Sequence, residues 1–219
     1  MQVALVDVDG HNFPNLALMK LSAWHKKQGD IVEWHQPLFS RPDKIYASKV
    51  FTFTPDYVDY SVNDPEPCRG GTGYGMMSVL DDEIENMTPD YSIYPDFENA
   101  IGFLTRGCTR KCKWCVVPKK EGGIREVSSI EKISAGRRDI VLMDNNFLAA
   151  DREFVKEQLS IAARNKYRID FNQGLDARLI DEENADWLSK CKYIRYLRFS
   201  CDTMSMLPHI KNTVNLLRK

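Results

Sequence analysis

The chain has 219 residues, 43% of them hydrophobic and 28% charged, which is the composition of a globular protein with one large or two small domains. Its 30 basic and 31 acidic side chains give a net charge of −1, so the chain as a whole offers no electrostatic reason to bind nucleic acid, although local basic patches remain. No apolar run approaches the roughly 20 residues that cross a bilayer. The opening MQVALVDVDG has acidic residues directly after its apolar run and no basic flank, so we do not expect a signal peptide. We therefore expect a cytoplasmic protein with no membrane partner.

The first part of the chain alternates between strand and helix patterns. A helix is predicted to begin after Asn12 and Pro14 and to end at Gly29. Short apolar runs predict strands at residues 3–9, 30–35 and 44–53. The stretch EPCRGGTGYG (66–75) predicts a glycine-rich turn. This order is typical of a small, doubly wound, Rossmann-like domain.

A segment rich in proline, aspartate and asparagine at residues 86–98 predicts a linker, and we expect two domains, 1–90 and 91–219. The second domain repeats the alternation with longer units. Strands are predicted at residues 101–105, 139–143, 167–171 and 193–200. Helices are predicted from about Ser128, after the capping residues Asp151 and Asp181, and at 208–219. The fold class is therefore α/β, with four βα units that form a partial barrel.

The segment TRGCTRKCKWCVVPKKEGG (105–123) carries three cysteines in the spacing C-x3-C-x2-C, directly after a predicted strand. Three thiolates on one loop, Cys108, Cys112 and Cys115, are able to bind three irons of a 4Fe–4S cluster and leave the fourth iron open. Basic residues at 106, 110, 111 and 113 would favour the thiolate forms. A zinc site is the alternative, although structural zinc normally takes four ligands.

The other three cysteines, Cys68, Cys191 and Cys201, are scattered along the chain. Disulfides are uncommon in a reducing compartment, and we interpret these three residues as small buried side chains.

The phrase RGCTRKCKWCVVPKKEG, at the end of the first strand of a partial βα barrel, resembles the radical S-adenosylmethionine (SAM) superfamily, in particular members with a cobalamin-binding-type N-terminal domain. The resemblance implies that the three cysteines bind the cluster and that SAM binds its open iron. It also implies reductive cleavage of SAM to a 5′-deoxyadenosyl radical, with an electron from an external donor. The substrate of that radical is not identified by the sequence.

The resemblance also implies SAM-binding roles for polar residues at the strand ends. Asp144 or Asn145 would receive the SAM ammonium, although the glycine-glycine-glutamate form usual in the family is absent. Asn172 or Gln173 would bind hydroxyl groups, and Arg178 the carboxylate. Ser200 lies on the rim-facing side of the fourth predicted strand. Trp114 would lie close to the cluster and the adenine; packing in the core is the alternative for this side chain.

Three departures from the family pattern limit the functional prediction. Asp9-Gly10-His11 is similar to a cobalamin-ligand motif, but Pro14 replaces the expected glycine and the domain is short, so we do not expect cobalamin. Methylthiotransferases bind a second cluster through three N-terminal cysteines, whereas only Cys68 is present here. Family barrels have six βα units, and this chain provides four. The alternatives are a non-catalytic iron–sulfur or zinc module, and a nucleic-acid-modifying member whose loop at 106–120 touches phosphate.

Overall fold

The structure is a computed structural model that describes residues 1–10, 12–39 and 41–218. It divides into two compact units, Met1–Phe97 and Glu98–Lys219. The division follows residue 97, whereas the sequence predicted residue 90. The intervening segment belongs to the first unit because Tyr94 is buried there, with its hydroxyl donating to Asp7 (2.6 Å) and accepting from the amide of Asn15 (3.1 Å).

The first unit is built on a parallel sheet in the order β2-β1-β3-β4. Its elements are β1 (Gln2–Asp7), α1 (Leu16–Lys27), β2 (Ile31–Trp34), β3 (Lys44–Ser48), β4 (Cys68–Gly70), the short helix α2 (Asp82–Glu85) and a 3-10 turn at Tyr91–Ile93. The four residues Val3–Val6 are all buried, as in strands covered on both faces. Helix α1 begins later than the Asn12–Pro14 signal suggested, because the side chain of Asn15 accepts from the amide of Leu18 (3.2 Å) and caps it.

Strand β3 ends at Ser48, so the predicted strand at 44–53 was too long. The strand ends early because Asp9, which follows β1, binds the backbone amides that come next. The carboxylate of Asp9 accepts from the amides of Val50 and Phe51, which therefore do not extend the ladder, and both side chains are exposed.

The second unit has a parallel sheet in the order β10-β9-β8-β5, in which each strand lies beside the next strand of the same sheet along the chain. This sequential order is that of a βα barrel, here with four strands. The strands of the second unit are β5 (Ala100–Gly102), β6 (Thr105–Arg106), β7 (Arg125–Glu126), β8 (Asp139–Leu142), β9 (Arg168–Phe171) and β10 (Lys192–Tyr193), of which β6 and β7 form a separate pair. Its helices are α3 (Val117–Lys120), α4 (Ile130–Ser134), α5 (Arg152–Arg164), α6 (Glu182–Ser189) and α7 (Leu207–Leu217), with 3-10 turns at Phe147–Ala149, Ala177–Leu179 and Met204–Met206. The predicted α/β class is confirmed.

Two predicted strands of the second unit differ from the structure. The run at 101–105 is divided into β5 and β6, which pairs with β7 instead of joining the main sheet. The run at 193–200 is strand only at its first residue. Beyond Tyr193, the chain runs beside the loop that follows β9 and not beside β9 itself. Phe199 there makes an isolated bridge to Leu175.

The core of the second unit lies between the sheet and helices α4 to α6, and includes Ile140, Leu159, Ile169 and Leu188. Among the residues that the structure describes, no helix is long and apolar enough to cross a membrane.

Candidate functional site

The three clustered cysteines lie on a loop that is closed at its base. Strands β6 and β7 on either side of the loop pair antiparallel, with Thr105 opposite Glu126. Inside this hairpin the amide of Cys108 donates to the carbonyl of Gly122 (3.2 Å). Both ends of the loop are therefore fixed next to the end of β5, as the sequence placed them.

Gly107 makes this closure sterically feasible. Its φ of +81° lies in the left-handed region, and a Cβ at this position would approach the carbonyl oxygen of Gly123 to 2.1 Å. The clash is with backbone atoms, which cannot rotate away as a side chain would. Only glycine fits this position without opening the hairpin.

Glu121 joins the two ends of the loop to strand β8. Its Oε1 accepts from Arg106 (2.9 Å), and its Oε2 accepts from the amide of Gly107 (2.9 Å) and from Nδ2 of Asn145 (3.0 Å). Sequence reasoning missed this residue. The available signal was charge, since Glu121 is the one acidic residue among seven basic ones between 106 and 125.

The three thiols are half-buried and form no disulfide. Cys108 Sγ accepts two hydrogen bonds, from the amide of Arg110 (3.4 Å) and from Nδ2 of Asn146 (3.5 Å). Donors aimed at sulfur suit a thiolate ligand, because they stabilise its negative charge. The scattered cysteines differ from the prediction in part: Cys191 is buried, whereas Cys68 and Cys201 are exposed.

Across the described ranges, no three histidine, cysteine, aspartate or glutamate side chains lie close enough together to hold a single metal ion. One tetrahedral zinc, with Zn–S bonds of about 2.3 Å, requires sulfurs about 3.8 Å apart. In a 4Fe–4S cluster each thiolate binds a different iron, so the sulfurs are spread more widely. Three thiols on one closed loop, with N–H donors on one sulfur, are a donor set that fits such a cluster.

A buried carboxylate links the cysteine loop to the end of β9. Asp176 accepts from Nε of Arg110 on the loop (2.9 Å) and from Nε of Arg178 (2.6 Å). Burial acts to raise the pKa of Asp176, but the hydrogen bonds from Arg178 and Arg110 outweigh it and hold the pKa below its ordinary value. Asp176 therefore stays ionised between two cations, and Arg178 also interacts electrostatically with Cys112.

Asp144 and Asn145, at the end of β8, hold the start of the cysteine loop. Both oxygens of Asp144 are engaged: Oδ2 accepts from the amide of Leu104 (3.1 Å), and Oδ1 accepts from the amide and hydroxyl of Thr105 (2.6 Å each). Asn145 donates to Glu121, as described above. The amides of Leu104 and Thr105 thus donate to Asp144 and not to a neighbouring strand, and β5 and β6 are separated at this point.

The remaining predicted site residues make few contacts. Gln173 is exposed and Ser200 is half-buried, and neither side chain has a hydrogen-bond partner in the part of the chain that the structure describes. The backbone amide of Ser200 donates to Leu175 (3.3 Å), which places it beside the loop after β9. Trp114 is 68% exposed, so the alternative that it packs in the core was wrong.

We expect Asp144 to make the stability of the second unit fall as the pH rises. Burial raises the pKa of Asp144 from 3.8 to about 6, so between these values the folded protein binds more protons than the unfolded chain. The penalty for ionising this side chain is roughly 3 kcal/mol once the pH exceeds its folded pKa. Urea unfolding of wild-type protein and Asp144→Asn, from about pH 4 to about pH 7, measures it. The wild type should lose stability relative to the variant over this range, and parallel pH profiles would contradict the assignment.

In the first unit, the chain itself covers the carboxyl ends of the strands. Ligands of open α/β sheets bind beyond the carboxyl ends of the strands, where the strand order reverses. In this sheet that point lies between β1 and β3. There Asp9, after β1, accepts from the amide of Val50 (2.5 Å) and the hydroxyl of Thr54 (2.7 Å), both after β3.

Two further anchors hold the same segment, residues 50–66, against neighbouring strand ends. After β2, His35 bonds through Nδ1 to the hydroxyl of Tyr57 (2.9 Å) and through Nε2 to Asp64 (2.8 Å), with the histidine and aspartate side chains 1% and 5% exposed. After β3, Lys49 pairs with Asp56 (3.1 Å). This segment therefore spans the carboxyl ends of three strands.

The glycine-rich turn packs onto the same region. A Cβ on Gly71 would meet the carbonyl oxygen of Lys49 at 2.3 Å. The backbone of the turn at Gly71 therefore lies in close contact with the backbone of Lys49.

No protein-family model and no curated protein sequence matches the chain. Solved structures do. The fold is shared with a radical SAM methyltransferase. That protein, TsrM from Kitasatospora setae, with tryptophan and a SAM analogue bound, superposes with a TM-score of 0.64 at 13% identity over 99% of this chain and 65% of its own. Its structure with cobalamin and a 4Fe–4S cluster gives a TM-score of 0.60 at 12% identity over 99% of this chain and 64% of its own.

The shared fold supports the predicted architecture, a Rossmann-like unit followed by a partial barrel. This chain spans about two thirds of the length of the structures it matches. Cobalamin, which one of them binds, does not fit the first unit here, because residues 50–66 and Asp9 fill the strand ends where a ligand would enter. His11, of the motif similar to a cobalamin ligand, lies outside the described residues.

Proposed function

We propose that the chain is a radical SAM enzyme that binds a 4Fe–4S cluster through Cys108, Cys112 and Cys115 and starts a radical reaction on a substrate yet to be identified. The observation that carries this proposal is the cysteine loop, closed at its base by the β6–β7 hairpin and presenting three free, half-buried thiols. The cluster, when bound, supplies the electron for reductive cleavage of SAM. An external donor must deliver that electron.

The residues around the loop have two roles in this proposal. Gly107, Glu121 and Asp144 hold the loop in shape through backbone and carboxylate contacts. SAM, a small-molecule partner, would be bound by Trp114 on the cysteine loop and by five residues at the ends of the predicted strands, which are Asp144, Asn145, Gln173, Arg178 and Ser200.

Two of these residues are already engaged with carboxylates. Asn145 donates to Glu121, and Arg178 donates to Asp176, so each would have to keep or exchange that bond when SAM binds. The additional contact to SAM would come from the amide oxygen of Asn145 and from Nη1 of Arg178, since Nε and Nη2 of Arg178 both donate to Asp176.

The test is the electron paramagnetic resonance spectrum of anaerobically reconstituted, reduced protein, recorded with and without SAM. A 4Fe–4S signal that changes when SAM is added would support the proposal, because SAM then reaches the open iron. A cluster whose signal ignores SAM would favour the non-catalytic iron–sulfur module. Zinc retained in place of iron would reject the radical reaction.

A charge difference between the units favours a second candidate, a nucleic-acid-modifying enzyme. Residues 1–97 contain 7 basic and 15 acidic side chains, whereas residues 98–219 contain 23 basic and 16 acidic ones. On the cysteine loop, Lys111, Lys113 and Lys119 are exposed, and within the described ranges none of them forms an ion pair. Unpaired cations beside a reactive centre suit a polyanionic substrate.

Binding of a fluorescent single-stranded RNA at several salt concentrations tests this candidate. Lys111→Ala with Lys113→Ala should weaken binding and make it less dependent on salt, with the slope falling by roughly one for each phosphate that a lysine no longer neutralises. The matched control is Lys156→Ala with Lys190→Ala, two exposed lysines that already pair with carboxylates. Absence of binding at low salt, or an equal weakening in both double variants, would exclude a nucleic-acid substrate held by this loop.

A further inference from the structure

Asn146 stands directly beside the first cysteine of the loop on a rigid support. It follows β8 and caps the 3-10 turn Phe147–Ala149, where its carbonyl accepts from the amide of Ala149 (3.0 Å). The next residue, Phe147, is 1% exposed and stacks on Phe171 with ring centroids 5.6 Å apart. The backbone that carries Asn146 is therefore held by the core of the second unit.

The side chain of Asn146 is 4% exposed, and only part of its hydrogen-bonding capacity is used. Its Nδ2 lies 3.5 Å from Cys108 Sγ. Its Oδ1 is buried and has no hydrogen-bond partner among the residues that the structure describes. A buried amide oxygen left unpaired destabilises a protein by about 1–3 kcal/mol, so packing alone would favour an apolar residue here.

We infer that Asn146 is a positioning residue for the cluster, whose amide N–H donates to the Cys108 thiolate and raises the reduction potential of the bound cluster. This inference rests on the proposed function. Reduction adds one negative charge to the cluster and its thiolates, and a donor to sulfur stabilises that charge more in the reduced state than in the oxidised state. Because Asn146 is buried, water does not replace the donor when it is removed.

The second donor to Cys108, the amide of Arg110, belongs to the cysteine loop itself and cannot be removed by a side-chain substitution. Asn146 is the donor that comes from outside the loop. Its neighbour Asn145 provides a matched comparison, since the two residues have the same side chain but Asn145 donates to Glu121 and not to a thiol.

The experiment compares Asn146→Val, Asn146→Asp and Asn145→Val with the wild type. Iron content and the thermal unfolding midpoint are measured first, then the midpoint potential of the reconstituted cluster by a dye-mediated titration followed by electron paramagnetic resonance. We expect both Asn146 variants to bind iron and to shift the potential to more negative values, the aspartate more than the valine because it adds a negative charge. The titration contains no SAM, so the SAM-binding role proposed for Asn145 does not enter, and Asn145→Val should keep the wild-type potential.

Each outcome decides the question. A wild-type potential in both Asn146 variants overturns the inference, and so does an equal shift in Asn145→Val. Failure of a cluster to assemble in both folded Asn146 variants also contradicts it, because a tuning donor is not required for assembly. If Asn146→Val does not fold, Asn146→Asp, which has nearly the same shape, carries the test alone. If the wild type itself assembles no SAM-responsive cluster, the proposed function fails, and that result is distinct from the absence of a potential shift.

Discussion

Replacement of Cys108, Cys112 or Cys115 by alanine is expected to abolish the iron–sulfur cluster, with iron content reduced by about tenfold or more in each single variant. In the proposed cluster each thiolate holds a different iron, so the loss of one would leave a second iron with no protein ligand and the cluster open to hydrolysis. The half-buried thiols contribute little packing, and we expect the thermal unfolding midpoint of the metal-free protein to change only slightly. Iron and sulfide analysis after anaerobic reconstitution measures the first effect.

The other cysteines provide the controls for this experiment. Cys68→Ala and Cys201→Ala remove exposed thiols and should leave the iron content unchanged. Cys191 is a poor control because its thiol is a core side chain, where burial raises its pKa to about 11 and substitution would leave a cavity. A cluster that survives any one of the three loop substitutions, or that disappears in Cys201→Ala, would show that the ligand set is different.

The sequence predicted the elements whose signals are local. Asp151 and Asp181 were expected to cap helices, and both carboxylates do accept amides of the first turn, from Phe154 (3.3 Å) and Asn184 (2.8 Å). Strand β8 begins at residue 139, where the strand was predicted to begin. A cap and an apolar run act within a few residues of themselves, so their effect can be deduced without knowledge of the fold.

The parts that the sequence could not predict depend on contacts between distant residues. The run IGFLT reads as one strand, but Asp144, about 40 residues later, binds the amides of Leu104 and Thr105 and divides it. The polar character of Asp144 at a strand end was visible, and its partners were not. Glu121 was missed for the same reason, since its three donors come from both ends of the loop and from β8.

The first unit gives a further example. The sequence predicted a strand for only the first four residues of 50–66, and the role of this segment follows from three anchors on three strand ends, at Asp9, His35 and Lys49. Single-residue propensities contain no information on such a closure. Its consequence for function is large, because it fills the edge where a sheet of this kind takes a cofactor.

Gly107→Ala is expected to disrupt the cysteine loop more than any other glycine substitution in it. The added Cβ would lie 2.1 Å from the carbonyl oxygen of Gly123 and 2.9 Å from that of Gly122, so the hairpin must open. Opening breaks the bond from Cys108 to Gly122 and the bond from Gly107 to Glu121. The expected cost is roughly 3 kcal/mol in the stability of the loop, together with a loss of most bound iron.

Gly122→Ala separates this steric effect from backbone strain. Gly122 also has a positive φ, +74°, but a Cβ there meets nothing within 4 Å. Alanine at this position carries only the strain of the left-handed conformation, about 1–2 kcal/mol, and leaves the approach of the two loop ends intact. Iron content after reconstitution and protease cleavage within the loop measure both variants. Equal effects of the two substitutions would mean that the close approach of Gly107 to Gly123 does not hold the loop. A much larger effect of Gly107→Ala would mean that the hairpin arranges the three thiols before the cluster is inserted. The conformational entropy of the loop is then lost when the protein folds, and not when the metal binds.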